Sequence, residues 1–382
     1  LTVSMAIIHP ADMLAGNDMP DAQYDLLDYW PAHAVYSGPY KIVESVPGDR
    51  YSMVPNENYF GPKPGLSKIT CFMVSEDPNT RLTAFANKEL DLYAAQLTGD
   101  SARQAHADSY MRSCMVEVPA WHVHQFWITP NEPLDDRYAR RAFTMAIDRD
   151  ALVKIMNAGS DVELFRRVNM HRNPAIPMCE AETAAVKPLP FDPAAAKEEL
   201  KQSKYWPDVV NTEIHIYAAS AGVLPECEAV QLILTENLGM KKVTVHTERI
   251  PNMMDPPYPL HMWRNTQQPW FPDVADTLRN MVMHWPMDRE WETDDPRPFI
   301  SVAYVPELKD TIQAALDEQD PAEKCELIAK AGQIWNDVAY SLDFAVPVTY
   351  YLIAPWVKGI EWYQNSGQGK PMNIEDAWVE RH

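Results

Sequence analysis

The sequence predicts an α/β fold built from more than one domain, and three observations carry that prediction. Its 382 residues are 46% hydrophobic, enough chain and enough apolar surface for a large core. Strand-like and helix-like segments alternate between residues 190 and 250. Near the start, Gly38-Pro39 and Pro47-Gly48-Asp49 bracket β-formers (Tyr40, Ile42 and Val43, then Tyr51, Met53 and Val54), the pattern of a β-hairpin.

Taken in order, residues 1–35 read as the end of a domain. After the hairpin, Gly61-Pro62-Lys63-Pro64-Gly65 is too stiff and polar to continue a strand. Leu66–Val74 alternates as a strand. Asp77-Pro78 is an N-cap followed by proline at the first helical position, and the helix behind it carries Leu82, Phe85, Ala86 and Leu90 on one face. Residues 114–130 look like strand crossing into a new unit. Asp135-Asp136 caps a helix over Arg137–Ile147 with Ala139, Ala142, Phe143 and Ala146 inward. Asp148 caps another over Arg149–Asn157, ended by Gly159. Asp192-Pro193 opens a helix over 193–203. Ile214–Tyr217 is a strand, Pro225–Leu238 a helix with Ala229, Leu232 and Ile233 inward, and Val243 and Val245 mark the next strand. Residues 251–300 are rich in Pro and Trp without clear periodicity, and so read as a long functional loop. Helices over Leu308–Leu316 and Pro321–Val338 follow, the second with Leu327, Ala331, Ile334, Trp335 and Val338 on one stripe. Strands are expected over Leu342–Ile353.

The formal net charge is −21, from 54 acidic against 33 basic residues. That balance argues against nucleic acid and against an anionic membrane surface as partners. No run of 18 apolar residues exists to span a bilayer. The five cysteines are scattered without a C-x-x-C pair, which excludes zinc ribbons and thioredoxin-like motifs. One disulfide, for example Cys179 with Cys227, and buried free thiols are both compatible with that spacing. Gly-x-Ser-x-Gly, His-Glu-x-x-His, P-loop and dinucleotide fingerprints are absent, so enzyme readings lack support. No cofactor is expected.

The order of residues carries more than their spacing. Gly38-Pro39-Tyr40-Lys41, Pro47-Gly48-Asp49-Arg50 and the run from Asn56 to Pro64 are similar to a signature of the family 5 extracellular solute-binding proteins. So are Asp77–Asp91, Asn131–Val153 with its Ala146-Ile147-Asp148-Arg149, Phe191–Leu200, Val346–Tyr351 and Trp356–Gly359. The resemblance implies a two-lobed, periplasmic-binding-protein-like clamp of type II, cluster C, with mixed sheets flanked by helices. It implies that residues 1–35 end a small extra domain, that 36–118 form lobe one, that 119–345 form lobe two, and that 346–382 return to lobe one. It also implies a longer native chain or a second polypeptide before Leu1, carrying any export signal or lipid anchor, and a periplasmic or extracellular location.

The same resemblance places the ligand between the lobes, against residues 261–273. Peptide-binding members carry an aspartate there for the peptide's α-amino group. An alignment anchored on Phe271-Pro272-Asp273 and Leu278 puts Trp270 in its place. Trp263, Asn265, Gln267, Gln268, Trp270, Phe271 and Asp273, with Phe126 and Trp127 just past the first crossing, are therefore the candidate ligand residues. Aromatic faces stack on pyranose C–H groups and amides fork onto hydroxyl pairs, so an oligosaccharide or other polyhydroxylated cargo is the first expectation and an oligopeptide the second. Packing anchors are the plain alternative for the tryptophans. His122 and His124 fall on one strand face and could serve a metal-dependent hydrolase, though no third ligand has a recognisable spacing, and satisfied histidines are the plain alternative. The expected partners are the cargo and the permease subunits of an ABC importer, with the receptor itself a monomer.

Overall fold

The computed structural model describes residues 36, 38–72, 77–97, 99–118, 123–170, 178–247, 259–267, 273–282, 305–362 and 372–380. In chain order the first elements are β1 (Tyr40–Val46), β2 (Arg50–Pro55), β3 (Ile69–Phe72), α1 (Pro78–Ala86), β4 (Leu92–Leu97), α2 (Gly99–Ala107), α3 (Ser109–Cys114) and β5 (Met115–Val118). Then come β6 (Val123–Ile128), α4 (Arg137–Ala146), α5 (Arg149–Met156), β7 (Phe165–Arg167), α6 (Glu180–Ala184), α7 (Pro193–Leu200), β8 (Glu213–Ala218), α8 (Leu224–Leu238) and β9 (Lys242–His246). The chain continues through β10 (Met262–Gln267), α9 (Val274–Val282), α10 (Pro306–Asp317), α11 (Pro321–Val338), β11 (Ser341–Pro347) and β12 (Thr349–Ile353). It closes with four two-residue strands, β13 to β16, at Val357–Lys358, Glu361–Trp362, Met372–Asn373 and Trp378–Val379.

Aspartates start many of these helices. Asp77, Asp108, Asp136, Asp148, Asp192 and Asp320 each accept hydrogen bonds from first-turn backbone N–H groups, satisfying donors the helix itself cannot. Part of the acidic excess is thus spent on helix starts, and the caps expected at Asp77, Asp136, Asp148 and Asp192 are where the sequence placed them.

The chain divides into two compact units, one holding described residues up to Val116 and from Tyr350 onward, the other Glu117 to Thr349. In the first, β1, β2 and β3 form an antiparallel sheet with a bulge between Ile42 and Glu44. Gly48, at φ +74°, makes the hairpin turn that a side chain would strain. Asn56 locks the exit: its amide donates to the carbonyls of Tyr36 and Gly38, and its oxygen accepts from Asn58 N–H. Of the strand expected over Leu66–Val74, Ile69–Phe72 is strand and residues 66–68 are not, while 73 and 74 lie outside the described residues. A second sheet has the order β4-β12-β5.

The second unit is built on a six-stranded mixed sheet, β7-β11-β6-β10-β8-β9, in which β8 runs parallel to both β9 and β10. Helices α4, α5, α7 and α8 bury their apolar faces against it, with Ala139, Ala142, Phe143 and Ala146 of α4 inward as expected. On α8 the buried stripe is Cys227, Val230, Leu234 and Leu238, while Leu232 is 56% exposed. That helix is apolar nearly all round, so its hydrophobic pattern did not fix which side faces the sheet. A second core joins α9, α10 and α11 with Met170, Cys179 and Val186. On α11 it takes Cys325, Ile328, Ala331, Gly332 and Trp335, while Leu327, Ile334 and Val338 flank it half-buried.

Two expectations need correction. Residues 251–300 are not one loop, since they contain β10 and α9. The strand was hidden because Arg264, Asn265, Thr266 and Gln267 are polar at every position, so the apolar–polar alternation that marks a strand is lost. The disulfide joins Cys179 to Cys325, not Cys227. Cys227 is a buried free thiol on the core side of α8, and burial pushes it up to about 12.

Candidate ligand-binding strand

Of the residues singled out for ligand binding, Trp263, Asn265 and Gln267 lie on β10. This strand lies between β6 and β8, and its register with β6 pairs Trp263 with Trp127, Asn265 with Gln125, and Gln267 with Val123. Successive side chains of a strand leave opposite faces, so β10 has two distinct sides.

One side is core. Met262 is buried among the apolar residues under α4 and α8. Arg264, two positions on, enters the same core as a charge. Its Nη2 donates to Glu226 Oε1 at 3.2 Å and lies 2.5 Å from His124 Nδ1. Its guanidinium sits over the rings of Phe344 at 4.9 Å and Phe126 at 5.9 Å. Burial pulls the arginine below its ordinary value, and the Glu226 carboxylate opposes that. Phe126, 0% exposed and stacked on Phe344, therefore sits in the core on the side away from Trp263. His124 is likewise engaged, with Arg264 at one ring nitrogen and Phe165 edge-on at 5.0 Å. His122 lies outside the described residues. Among the described residues no group of three or more His, Cys, Asp or Glu side chains could hold a metal ion.

The other side is aromatic and polar. Trp263 meets Trp127 edge-to-face, centroids 5.6 Å apart at 88°. Next along β6 and β11, Ser341 Oγ lies 3.2 Å from Gln125 Oε1 and 2.9 Å from Asp343 Oδ1, all three residues buried. Asn265 and Gln267 occupy the following alternate positions of the strand. Gln268, Trp270 and Phe271 lie outside the described residues. Asp273 is placed by a different role: it accepts from Ala275 N–H at 2.7 Å to start α9, and pairs with Lys324 Nζ of α11 at 2.7 Å.

Sequence reasoning missed a histidine column at the parallel end of the sheet. His215 Nδ1 and His246 Nε2 are 2.9 Å apart, and the His261 ring stacks on His215 at 5.5 Å. His261 Nδ1 accepts from the His215 backbone N–H, and its Nε2 donates to the Glu132 carbonyl, which fixes a neutral tautomer. Burial depresses His261 to about 4 and also lowers His215. The missed ion pair had one signal: Glu226 falls one turn before Val230 on the buried stripe of α8.

Residues 2–284 match the family model of the bacterial extracellular solute-binding proteins, family 5 Middle. Among curated proteins, the chain is 28% identical over 176 residues to the nickel-binding periplasmic protein of Escherichia coli K12, covering 44% of this chain and 31% of that one. It is 24% identical over 168 residues to the dipeptide-binding protein of the same organism, covering 44% and 29%. The chain thus spans about a third of the length of the curated relatives it matches. Among solved structures, the unliganded open form of the murein tripeptide binding protein MppA superposes with a TM-score of 0.71 at 16% identity, covering 98% of this chain and 68% of that one. DppA from Helicobacter pylori in complex with a peptide gives 0.61 at 17% identity, covering 90% and 63%. These likenesses establish the periplasmic-binding-protein-like α/β fold. These four proteins are named for binding, not for a reaction.

Proposed function

Because the chain belongs to family 5 of the bacterial extracellular solute-binding proteins, we propose that it is the receptor of an ABC importer and that its cargo is a short peptide. The observation that supports this cargo is that three of the four relatives reported above are named for peptides, a dipeptide-binding protein, a murein tripeptide binding protein and a peptide complex, beside one nickel-binding protein. An oligosaccharide, the first expectation from the tryptophans and amides, finds no counterpart among these relatives. The same residue types suit a peptide. Asn and Gln each offer a donor and an acceptor to a peptide unit, and Trp offers a flat apolar face. Asp273, already paired with Lys324, is not the acceptor for a free α-amino group.

On this reading Trp263, Asn265, Gln267, Gln268, Trp270 and Phe271 face the cargo, with Trp127 bracing Trp263. Residues 36–118 and 346–382 form one lobe and 119–345 the other, acting as a monomer on the outer side of the membrane, with permease subunits as the partner. Relatives named as lipoproteins at 26% identity over 164 residues favour a lipid-anchored form of the whole protein. A thermal-shift screen tests the cargo, because a ligand that binds only the folded state raises its melting temperature. Di- to pentapeptides are expected to raise it and oligosaccharides to leave it unchanged. The reverse result sinks the peptide reading and restores the sugar.

A further inference from the structure

Gln268, Trp270 and Phe271 belong to residues 268–272, which join Gln267, the last residue of β10, to Asp273 at the start of α9. One end of that segment is fixed by the sheet, where Gln267 pairs with Val123 of β6. The other end is Asp273. Its Oδ1 accepts from Ala275 N–H at 2.7 Å, and its carbonyl accepts from Thr277 N–H at 3.0 Å and from the Thr277 hydroxyl at 3.1 Å. Those bonds tie Asp273 to its own helix. The contact that ties it to another element is the ion pair between its Oδ2 and Lys324 Nζ of α11, at 2.7 Å.

Lys324 is itself firmly placed. It lies in the first turn of α11, where the Asp320 side chain accepts from the N–H groups of Ala322 and Glu323. The next residue, Cys325, is cross-linked to Cys179. The Lys324 side chain is 16% exposed and that of Asp273 26%, so water and salt screen this pair less than one on the open surface. The lysine also answers a like-charge contact. Burial raises the Asp276 carboxyl, and the charge of Asp273 adds to that, while Arg279 and Lys324 oppose it. Without the Lys324 charge, Asp273 and Asp276 repel across the first turn of α9. The displacement falls on Asp273, because Val274, Ala275 and Leu278 stay buried in the second core and hold the helix. A short segment between two fixed ends follows where its ends are put.

We propose that Lys324 is a positioning residue for cargo binding: through Asp273 it sets where the segment between β10 and α9 ends, and so where Gln268, Trp270 and Phe271 meet the peptide. Lys324 touches no cargo itself. The inference rests on the peptide reading of that segment.

The probes are the di- to pentapeptides of the thermal-shift screen, titrated by calorimetry into the full chain and its variants, with urea midpoints measured on the peptide-free proteins. Lys324→Met keeps the apolar stem and removes the charge. It should weaken peptide binding about fivefold, which is what one partly exposed ion pair supplies, while the urea midpoint stays near that of the wild type. Lys324→Arg should restore the affinity. Asp273→Asn, which can still cap α9, should weaken binding as Lys324→Met does. The double variant should be no weaker than either single one, because all three break the same link. Lys324→Met binding as tightly as the wild type, or single losses that add in the double variant, would overturn the proposal and leave the peptide reading standing. A wild type that binds none of the peptides would overturn the reading itself, and the proposal with it.

Discussion

Glu226 Oε1 lies 3.2 Å from Arg264 Nη2, with 5% and 0% of their side chains exposed, so α8 and β10 are joined by a charge pair inside an apolar core. Taking two ions out of water costs about as much as their attraction returns, whereas leaving one unpaired in the core is heavily penalised. Glu226→Leu alone should therefore destabilise the chain by about 3–5 kcal/mol. The double change Glu226→Leu with Arg264→Met should be much milder than the single one. Urea midpoints read both. A single variant as stable as the wild type would show that the pair is not the buried unit described.

The histidine column makes a pH dependence with a definite sign. His261 and His215 bind protons less readily folded than unfolded. Below the ordinary histidine value of 6.5, the unfolded chain takes up protons that the folded chain refuses. Their contribution to stability is therefore complete above 6.5 and is lost progressively as pH falls toward about 4. Glu213 and the Glu132 carbonyl moderate the fall without reversing it. The expected NMR result is a His261 ring resonance unmoved between pH 7 and pH 5. A midpoint near 6.5 there would refute the assignment of a neutral, carbonyl-bound ring.

Cys179 and Cys325 close a loop with a sequence separation of 146 and tie the segment before α6 to α11. Cross-linking so long a loop removes many conformations from the unfolded chain. Reduction, or Cys325→Ser, should cost about 2–5 kcal/mol. Melting with and without reductant measures it. The Cys227→Ala variant should show the same reductant sensitivity as the wild type.

Trp263 is half-buried and braced by one partner ring rather than sealed in the core. If its face meets the cargo, Trp263→Ala should weaken peptide binding about tenfold or more, as buried aromatic anchors at binding sites do. Calorimetric titration with a peptide found by the screen would show this. Affinity within twofold of the wild type would remove Trp263 from the site.

Much of the architecture was written locally. Aspartate caps, the Pro47-Gly48-Asp49 turn and the alanine-rich face of α4 need only neighbours a few residues away, and these were legible without coordinates. So was family membership, which the order of short motifs carried from Gly38 to Gly359. What needed the tertiary structure was every pairing between distant segments. Cys179 could have met any of four other thiols, and only the packing of α11 chose Cys325. Phe126 and Trp127 are adjacent aromatic residues, yet a strand sends them to opposite faces, Phe126 toward Phe344 and Trp127, itself only 1% exposed, beside Trp263. Nothing near Arg264 in the sequence marks it as buried, since its partners Glu226 and His124 come from other elements. A sequence specifies which residues can start a helix or turn a hairpin because those are near-neighbour interactions. It is the folded sheet, through alternation and register, that decides which side chains end up facing one another.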